Sequence, residues 1–180
     1  MRVYQAAESL ELVHSGTDYF DRLLALVNAA RKTIHLQTYI FENDAAGGPI
    51  VAALQAAAKR GVQVWMIVDR FGSQNFPETV VNELQAAGVQ FRFFKQSISF
   101  WKWYFGRTLH HKVLVVDDEH ALVGGINIAE KYRGRPEEAA WLDFAVYIQG
   151  AVCAELGLLC ADIFYREYWK NRNRRKGKSL

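Results

Sequence analysis

Apolar residues recur along this chain with two different periods. Between Asp18 and Lys32 they fall at Phe20, Leu23, Leu24 and Val27, a helical spacing. Leu10–Val13 and Thr33–Phe41 are short apolar or alternating runs of strand type. Gly47 and Gly48 precede Pro49, a favoured first helical residue, and an alanine-rich helix is expected from there to Lys59. Gly61 follows where a helix C-cap needs glycine. Val62–Val68 is an apolar strand, Pro77–Ala87 a helix closed by Gly88, and Val89–Phe94 another strand. Leu109–Val116, Ala121–Val123 and Ala140–Ile148 read as three further strands, and Ala151 to about Lys170 as a last helix. The alternation predicts an α/β fold with a mixed, largely parallel central sheet and helices on its faces.

Composition narrows the class. At 180 residues and 51% hydrophobic, the chain suits one domain with a full core, and 13% aromatic content argues against disorder. Met1–Leu10 lacks the basic-then-apolar order of a secretory leader. The longest apolar stretch, Gly150–Tyr165, is interrupted by Glu155 and Asp162, so no window looks like a membrane span. A soluble, cytoplasmic chain is expected, with peripheral contact to the inner face of the membrane left open. Cys153 and Cys160 stand seven residues apart on the last predicted helix, roughly 10 Å at helical rise. That is too far to bridge, so buried free thiols are expected.

Charge is uneven. Residues 166–180 hold seven basic residues against Glu167 alone, while the whole chain carries only +3. A basic segment of this kind binds anionic lipid or nucleic acid, or is simply a solvated terminus. The expected organisation is one domain over residues 1–170 and a basic tail over 171–180.

The candidate chemistry lies between His110 and Asn127: His-x-Lys, four residues, Asp, six residues, Gly-Gly-x-Asn. An imidazole serves as nucleophile or proton donor near neutral pH. An ammonium two residues away, on the same face of a strand, can hold a phosphate oxygen and offset its developing charge. Gly124 and Gly125 allow a tight turn and close approach to a ligand. The Asn127 amide can donate to another phosphate oxygen. By alternation His111 and Asp117 point to the opposite face, which suits a structural role for Asp117. Each fragment alone is commonplace; the six positions together are not. A metal site is disfavoured, because alternation separates His110 from His111 and no close cysteine or His-Glu helical motif accompanies them. His14 and His35 read as packed strand residues, and His120 as a surface turn residue.

The six positions His110, Lys112, Asp117, Gly124, Gly125 and Asn127 match the HKD signature of the phospholipase D superfamily. The chain also resembles the first half of bacterial cardiolipin synthases in Lys59–Val64, Val68–Ser73, Ala86–Phe91, Gly124–Ile128 and Trp141-Leu142-Asp143. The resemblance implies a reaction without metal or other cofactor. His110 would attack phosphorus, Lys112 and Asn127 would cradle the phosphate, and Asp143 would orient the imidazole through its other nitrogen. It also implies a second histidine for the leaving group. The chain carries the signature once, so a homodimer mate or a complementing second HKD half is expected.

Ile98–Arg107 precedes the motif with Phe100, Trp101, Trp103, Tyr104 and Phe105 around Lys102. Rings mixed with cations suit a bilayer interface, stacking on single-stranded nucleic acid, or a lid on the domain or a partner. Tyr39, Phe41 and Glu42 after one strand, and Asp69 and Arg70 after the next, stand where α/β folds place ligands. Three functions stay open. One is a phosphatidyltransferase acting on an anionic, phosphatidylglycerol-like phospholipid. The second is a homodimeric phosphodiesterase or endonuclease acting on DNA. The third is an inactive half that binds lipid or a partner chain.

Overall fold

Seven strands form one mixed sheet in the order β1-β7-β6-β5-β2-β3-β4. The computed structural model describes residues 6–94 and 108–176, with side chains as far as Arg166. The strands are β1 Ser9–His14, β2 Thr33–Thr38, β3 Gln63–Asp69, β4 Gln90–Phe94, β5 Val113–Val116, β6 His120–Gly124 and β7 Phe144–Gln149. The helices are α1 Thr17–Ala29, α2 Gly47–Lys59, α3 Glu78–Ala86, α4 Glu130–Arg133 and α5 Val152–Lys176. The mixed sheet flanked by helices is the expected architecture. The expectation of a largely parallel sheet is corrected: the parallel part is confined to β2-β3-β4, where α2 and α3 make the crossovers. The other neighbours, β2·β5, β5·β6, β6·β7 and β1·β7, run antiparallel.

Strand alternation divides the apolar residues between two faces. Leu36, Val64, Met66, Val68, Leu114, Val116 and Leu122 pack with Phe20, Leu23, Val27, Ile50, Leu54, Val81 and Leu84 from α1, α2 and α3. On the opposite face Val115 and Ala121 meet Cys153 and Cys160 of α5, while Ile67 and Leu109 meet Phe164. Both cysteines are buried and free. Burial pushes the Cys160 thiol up to about 12 and moves Cys153 in the same direction.

Three boundaries differ from the sequence pattern. Ladder pairing in β5 starts only at Val113, so His110, His111 and Lys112 lie on the extended approach to the strand. β7 likewise starts at Phe144, because Trp141–Asp143 bonds to Lys131 and Ser15 rather than to a neighbouring strand. α5 continues to Lys176, across the division at residue 170 drawn from charge. The short helix α4 has too few residues to show a period.

His120 opens β6 with its Nδ1 2.9 Å from the Tyr147 hydroxyl, so it belongs to the sheet and not to a loose turn. His35 is buried and stacks on Trp65, ring centroids 4.6 Å apart. His14 is exposed, with its ring edge against Phe144.

Candidate active site

His110, Lys112, Gly124, Gly125 and Asn127 lie at one end of the sheet, where β2 and β3 finish, β6 exits and β5 and β7 begin. It is also where the connectivity switches from the parallel β2-β3-β4 part to the antiparallel part, the usual ligand position in open α/β sheets. His110 is exposed and Lys112 is buried. Lys112 Nζ stands 3.2 Å from both imidazole nitrogens of His110 and donates to its carbonyl oxygen at 3.1 Å. Only an unprotonated ring nitrogen can accept from the ammonium. Desolvation lowers the Lys112 pKa, and the nearby Asp143 carboxylate partly opposes that shift. Tyr39 completes the enclosure. Its ring lies 4.9 Å from that of His110, and Lys112 Nζ is 5.4 Å from its centroid. An exposed imidazole against a buried, partly desolvated ammonium is an arrangement that receives an anion.

His111 turns the other way, towards Gln37, with Nδ1 3.5 Å from Oε1. Gln37 in turn donates to the Cys160 carbonyl of α5. Burial, then the charges of Lys112 and His110, hold His111 below the ordinary imidazole value.

Asn127 is buried and its amide is mostly committed. Oδ1 accepts from Ile40 N at 3.0 Å, and Nδ2 donates to the Tyr132 hydroxyl at 2.8 Å. An amide nitrogen has two protons, so one remains for a ligand oxygen. Tyr132 was not visible in the sequence as a partner, since α4 carries no recognisable pattern.

Asp143 is placed differently from the sequence expectation. Among the described residues no hydrogen bond joins it to His110. Its Oδ1 instead accepts from the following backbone amide, Phe144 N, at 2.7 Å. Ser15 fixes this segment from the chain's other end: Ser15 Oγ donates to the Trp141 carbonyl and accepts from Asp143 N. The carboxylate therefore acts on Lys112 through space and touches Gly125. That contact also bears on the glycine pair. Neither glycine has a positive φ. A Cβ on Gly125 would overlap the Asp143 carboxylate, and one on Gly124 would overlap the Ala145 backbone and the Phe144 carbonyl. The pair permits the close approach of β7 and Asp143.

A prediction follows from the different obstacles. Gly124→Ala meets backbone, so it should destabilise by about 3 kcal/mol, near the upper end of ordinary overpacking. Gly125→Ala meets a carboxylate that can swing away, so about 1 kcal/mol is expected. Urea melts of the two variants check this, and the reverse order would show that the β6–β7 spacing is soft.

Asp117 sits at the opposite end of β5. Its Oδ1 accepts from Lys32 N and Thr33 N at 2.7 and 2.8 Å, and its Oδ2 from Arg31 N at 2.8 Å. Asp69 is fully buried and bonded to backbone amides, Phe41 is core, and Glu42 pairs with Lys131 at 3.7 Å. Arg70 lies over Phe93 and pairs with Glu78. Trp101, Trp103, Tyr104 and Phe105 lie outside the described residues. No group of acidic, histidine or cysteine side chains suited to a metal occurs among the described residues. No described helix is long and apolar enough to cross a membrane.

Comparison with known proteins agrees with this geometry. Residues 23–148 match the family model described as cardiolipin synthase, PLD-like domain. The chain is 29% identical over 178 residues to cardiolipin synthase B of Shigella flexneri, covering 95% of this chain and 43% of that protein. It thus spans less than half the length of that relative. Among solved structures, the phospholipase D family member Nuc from Salmonella typhimurium superposes with a TM-score of 0.65 at 22% identity, covering 88% of this chain and 95% of Nuc. Phosphatidylserine synthase from Haemophilus influenzae gives a TM-score of 0.71 at 19% identity, covering 90% of this chain and 38% of that one. The single HKD set, the sheet that presents it and the match across residues 23–148 make this chain a member of the cardiolipin synthase, PLD-like domain family.

Proposed function

We propose that this chain is one lobe of a phospholipase D-type phosphatidyltransferase that moves a phosphatidyl group between phospholipids. The observation that carries the reading is the exposed His110 imidazole held 3.2 Å from the buried Lys112 ammonium. The anionic phosphate of a phosphatidylglycerol-like lipid takes the ammonium's attention, and that frees a ring nitrogen. The nitrogen attacks phosphorus, an N–P bond forms, and the P–O bond to the leaving alcohol breaks. A proton must reach that alkoxide. The acceptor hydroxyl then loses a proton, its oxygen attacks phosphorus, and the N–P bond breaks.

The proton carrier is the missing part. The chain has five histidines. His14 lies against Phe144, His35 on Trp65, His111 at Gln37 and His120 at Tyr147, so none of these four shares the His110 enclosure. The second histidine therefore comes from another copy of the chain or from a second HKD half. Cardiolipin synthase B, of which this chain spans 43%, has length to spare for such a half. The aromatic insert at Trp101–Phe105 would supply contact with the bilayer.

A second reading is a homodimeric phosphodiesterase acting on nucleic acid. The match over 95% of Nuc favours it, since a protein of this size adopts the same fold without further domains. One experiment separates the readings. Molar mass in solution is measured beside turnover of phosphatidylglycerol vesicles, single-stranded DNA and an aryl phosphodiester. A dimer active on lipid supports the first reading, with vesicle flotation weakened by Trp101→Ala and Trp103→Ala. A dimer that cuts DNA supports the second. An inert monomer points to a half awaiting its partner, and an inert dimer overturns both catalytic readings.

A further inference from the structure

The turn that leaves β3 reads Asp69-Arg70-Phe71-Gly72-Ser73, and its bonds run towards the HKD site. Asp69 is fully buried. Its Oδ1 accepts from Phe71 N at 2.9 Å and Gly72 N at 3.0 Å, which closes the turn. Its Oδ2 accepts from Leu109 N at 2.7 Å, forty residues away and directly before His110. Among the described residues no cation forms an ion pair with this carboxylate. A buried carboxylate held only by neutral donors is expensive. Closing the turn uses one oxygen, and a single amide or hydroxyl acceptor meets that need. The second oxygen is spent on the entry to the motif.

The same turn grips the other side of the imidazole. Ser73 is buried, donates through Oγ to the Tyr39 carbonyl at 3.0 Å and accepts from Phe41 N at 2.9 Å. Its own amide donates to the Asp69 carbonyl at 2.9 Å, so the two grips are one unit. Gly72 lies flat on Tyr39: a Cβ there would stand 2.9 Å from the ring and overlap the carbonyl oxygen. The Tyr39 ring is the one packed on His110, tilted by 46°.

We propose that the Asp69–Ser73 turn is a positioning device for His110, fixing its backbone through Leu109 and its ring through Tyr39; this rests on the assignment of His110 as the reacting histidine. None of the turn residues touches the reacting atoms. A turn that merely ended β3 would need neither the Leu109 bond nor the Tyr39 contacts.

The test reads the imidazole itself. Cε1–H correlations of all five histidines are recorded across pH in the full chain. His110 is assigned by the signal lost in His110→Asn. In Asp69→Asn and Ser73→Ala the His110 resonance and titration midpoint should move, while those of His35 and His120 stay in place. Turnover of an aryl phosphodiester should fall on the order of 10²-fold with little change in KM, the scale of a misplaced reacting group. Ser73→Ala removes one oxygen atom and keeps the test available should Asp69→Asn not fold. Folded variants with lower melting temperature but an unmoved His110 signal would overturn the proposal and leave the turn a purely structural element. If His110→Asn keeps its turnover, the parent assignment fails, while the ring-position result still reports on the turn.

Discussion

Replacing His110 with asparagine is expected to lower phosphodiester turnover by about 10³-fold or more, the scale on which an enzyme loses its nucleophile. The side chain is exposed, so little packing beyond the Tyr39 ring contact is lost with it. Lys112, which now donates to the imidazole and to the His110 carbonyl, keeps the carbonyl. The fold should therefore be intact, and the loss should appear in chemistry alone. Two measurements check it. Steady-state turnover gives the size of the effect. Rapid quenching with a phosphorus-labelled substrate should trap an acid-labile phosphoprotein in the wild type and none in His110→Asn. Turnover that stays within tenfold, or label that persists, would move the nucleophile elsewhere. If the site is shared between two copies, mixing wild-type and His110→Asn chains should produce heterodimers whose activity shows which role the remaining histidine fills.

The motif and the fold were legible in the sequence to different depths. Spacing alone singled out His110, Lys112 and Asn127; the structure puts the Lys112 ammonium 3.2 Å from the His110 ring and ties the buried Asn127 amide to Ile40 and Tyr132. Periodicity located the long helices and the strands within a few residues, because burial on one face forces a repeat. The antiparallel half of the sheet was less visible. Antiparallel partners such as β1 and β7 are joined by pairing across most of the chain, Ser9 with Gln149 and His14 with Phe144, and nothing local records that. The same limit hid Ser15, whose hydroxyl holds Asp143 from 128 residues away. It hid the reach of Asp69 to Leu109 too, although Asp69 itself stood out at a strand end. The Gly-Gly pair carried a subtler ambiguity. Glycine signals either a positive φ or a close neighbour, and only the three-dimensional position of Asp143 decides between them.

Asp117→Ala is expected to destabilise the fold by about 3 kcal/mol, as much as Gly124→Ala, and to leave the chemistry largely alone. The carboxylate satisfies three backbone amides at the start of β2, from Arg31, Lys32 and Thr33. Bonds of this charge-assisted kind contribute about 1.5–3 kcal/mol each when taken singly, and less together. Asp117 also has φ 55° and Asp118 φ 59° in the tight turn closed by Glu119 N on the Val116 carbonyl. Aspartate tolerates that left-handed conformation better than alanine, which adds roughly 1 kcal/mol. Asp117→Asn keeps the conformation and one acceptor, so about half the loss is expected.

The pH dependence has a definite sign. Desolvation raises the Asp117 pKa, but the combined backbone bonds from Thr33, Arg31 and Lys32, with the Lys32 charge, outweigh it, and the net shift is downward. A lowered folded-state value means that the stabilisation is complete above the ordinary carboxylate range. It is lost as pH falls below about 4 and through the folded value. The gap in melting temperature between wild type and Asp117→Ala should therefore narrow in that acidic window and stay constant near neutrality. Chemistry should be spared because seven residues separate Asp117 from His110, roughly 20 Å along extended chain. A well-folded Asp117→Asn protein without turnover would break this division of labour. It would mean that the clasp on Arg31–Thr33 sets the register of β5 against β2, and through it the position of Lys112.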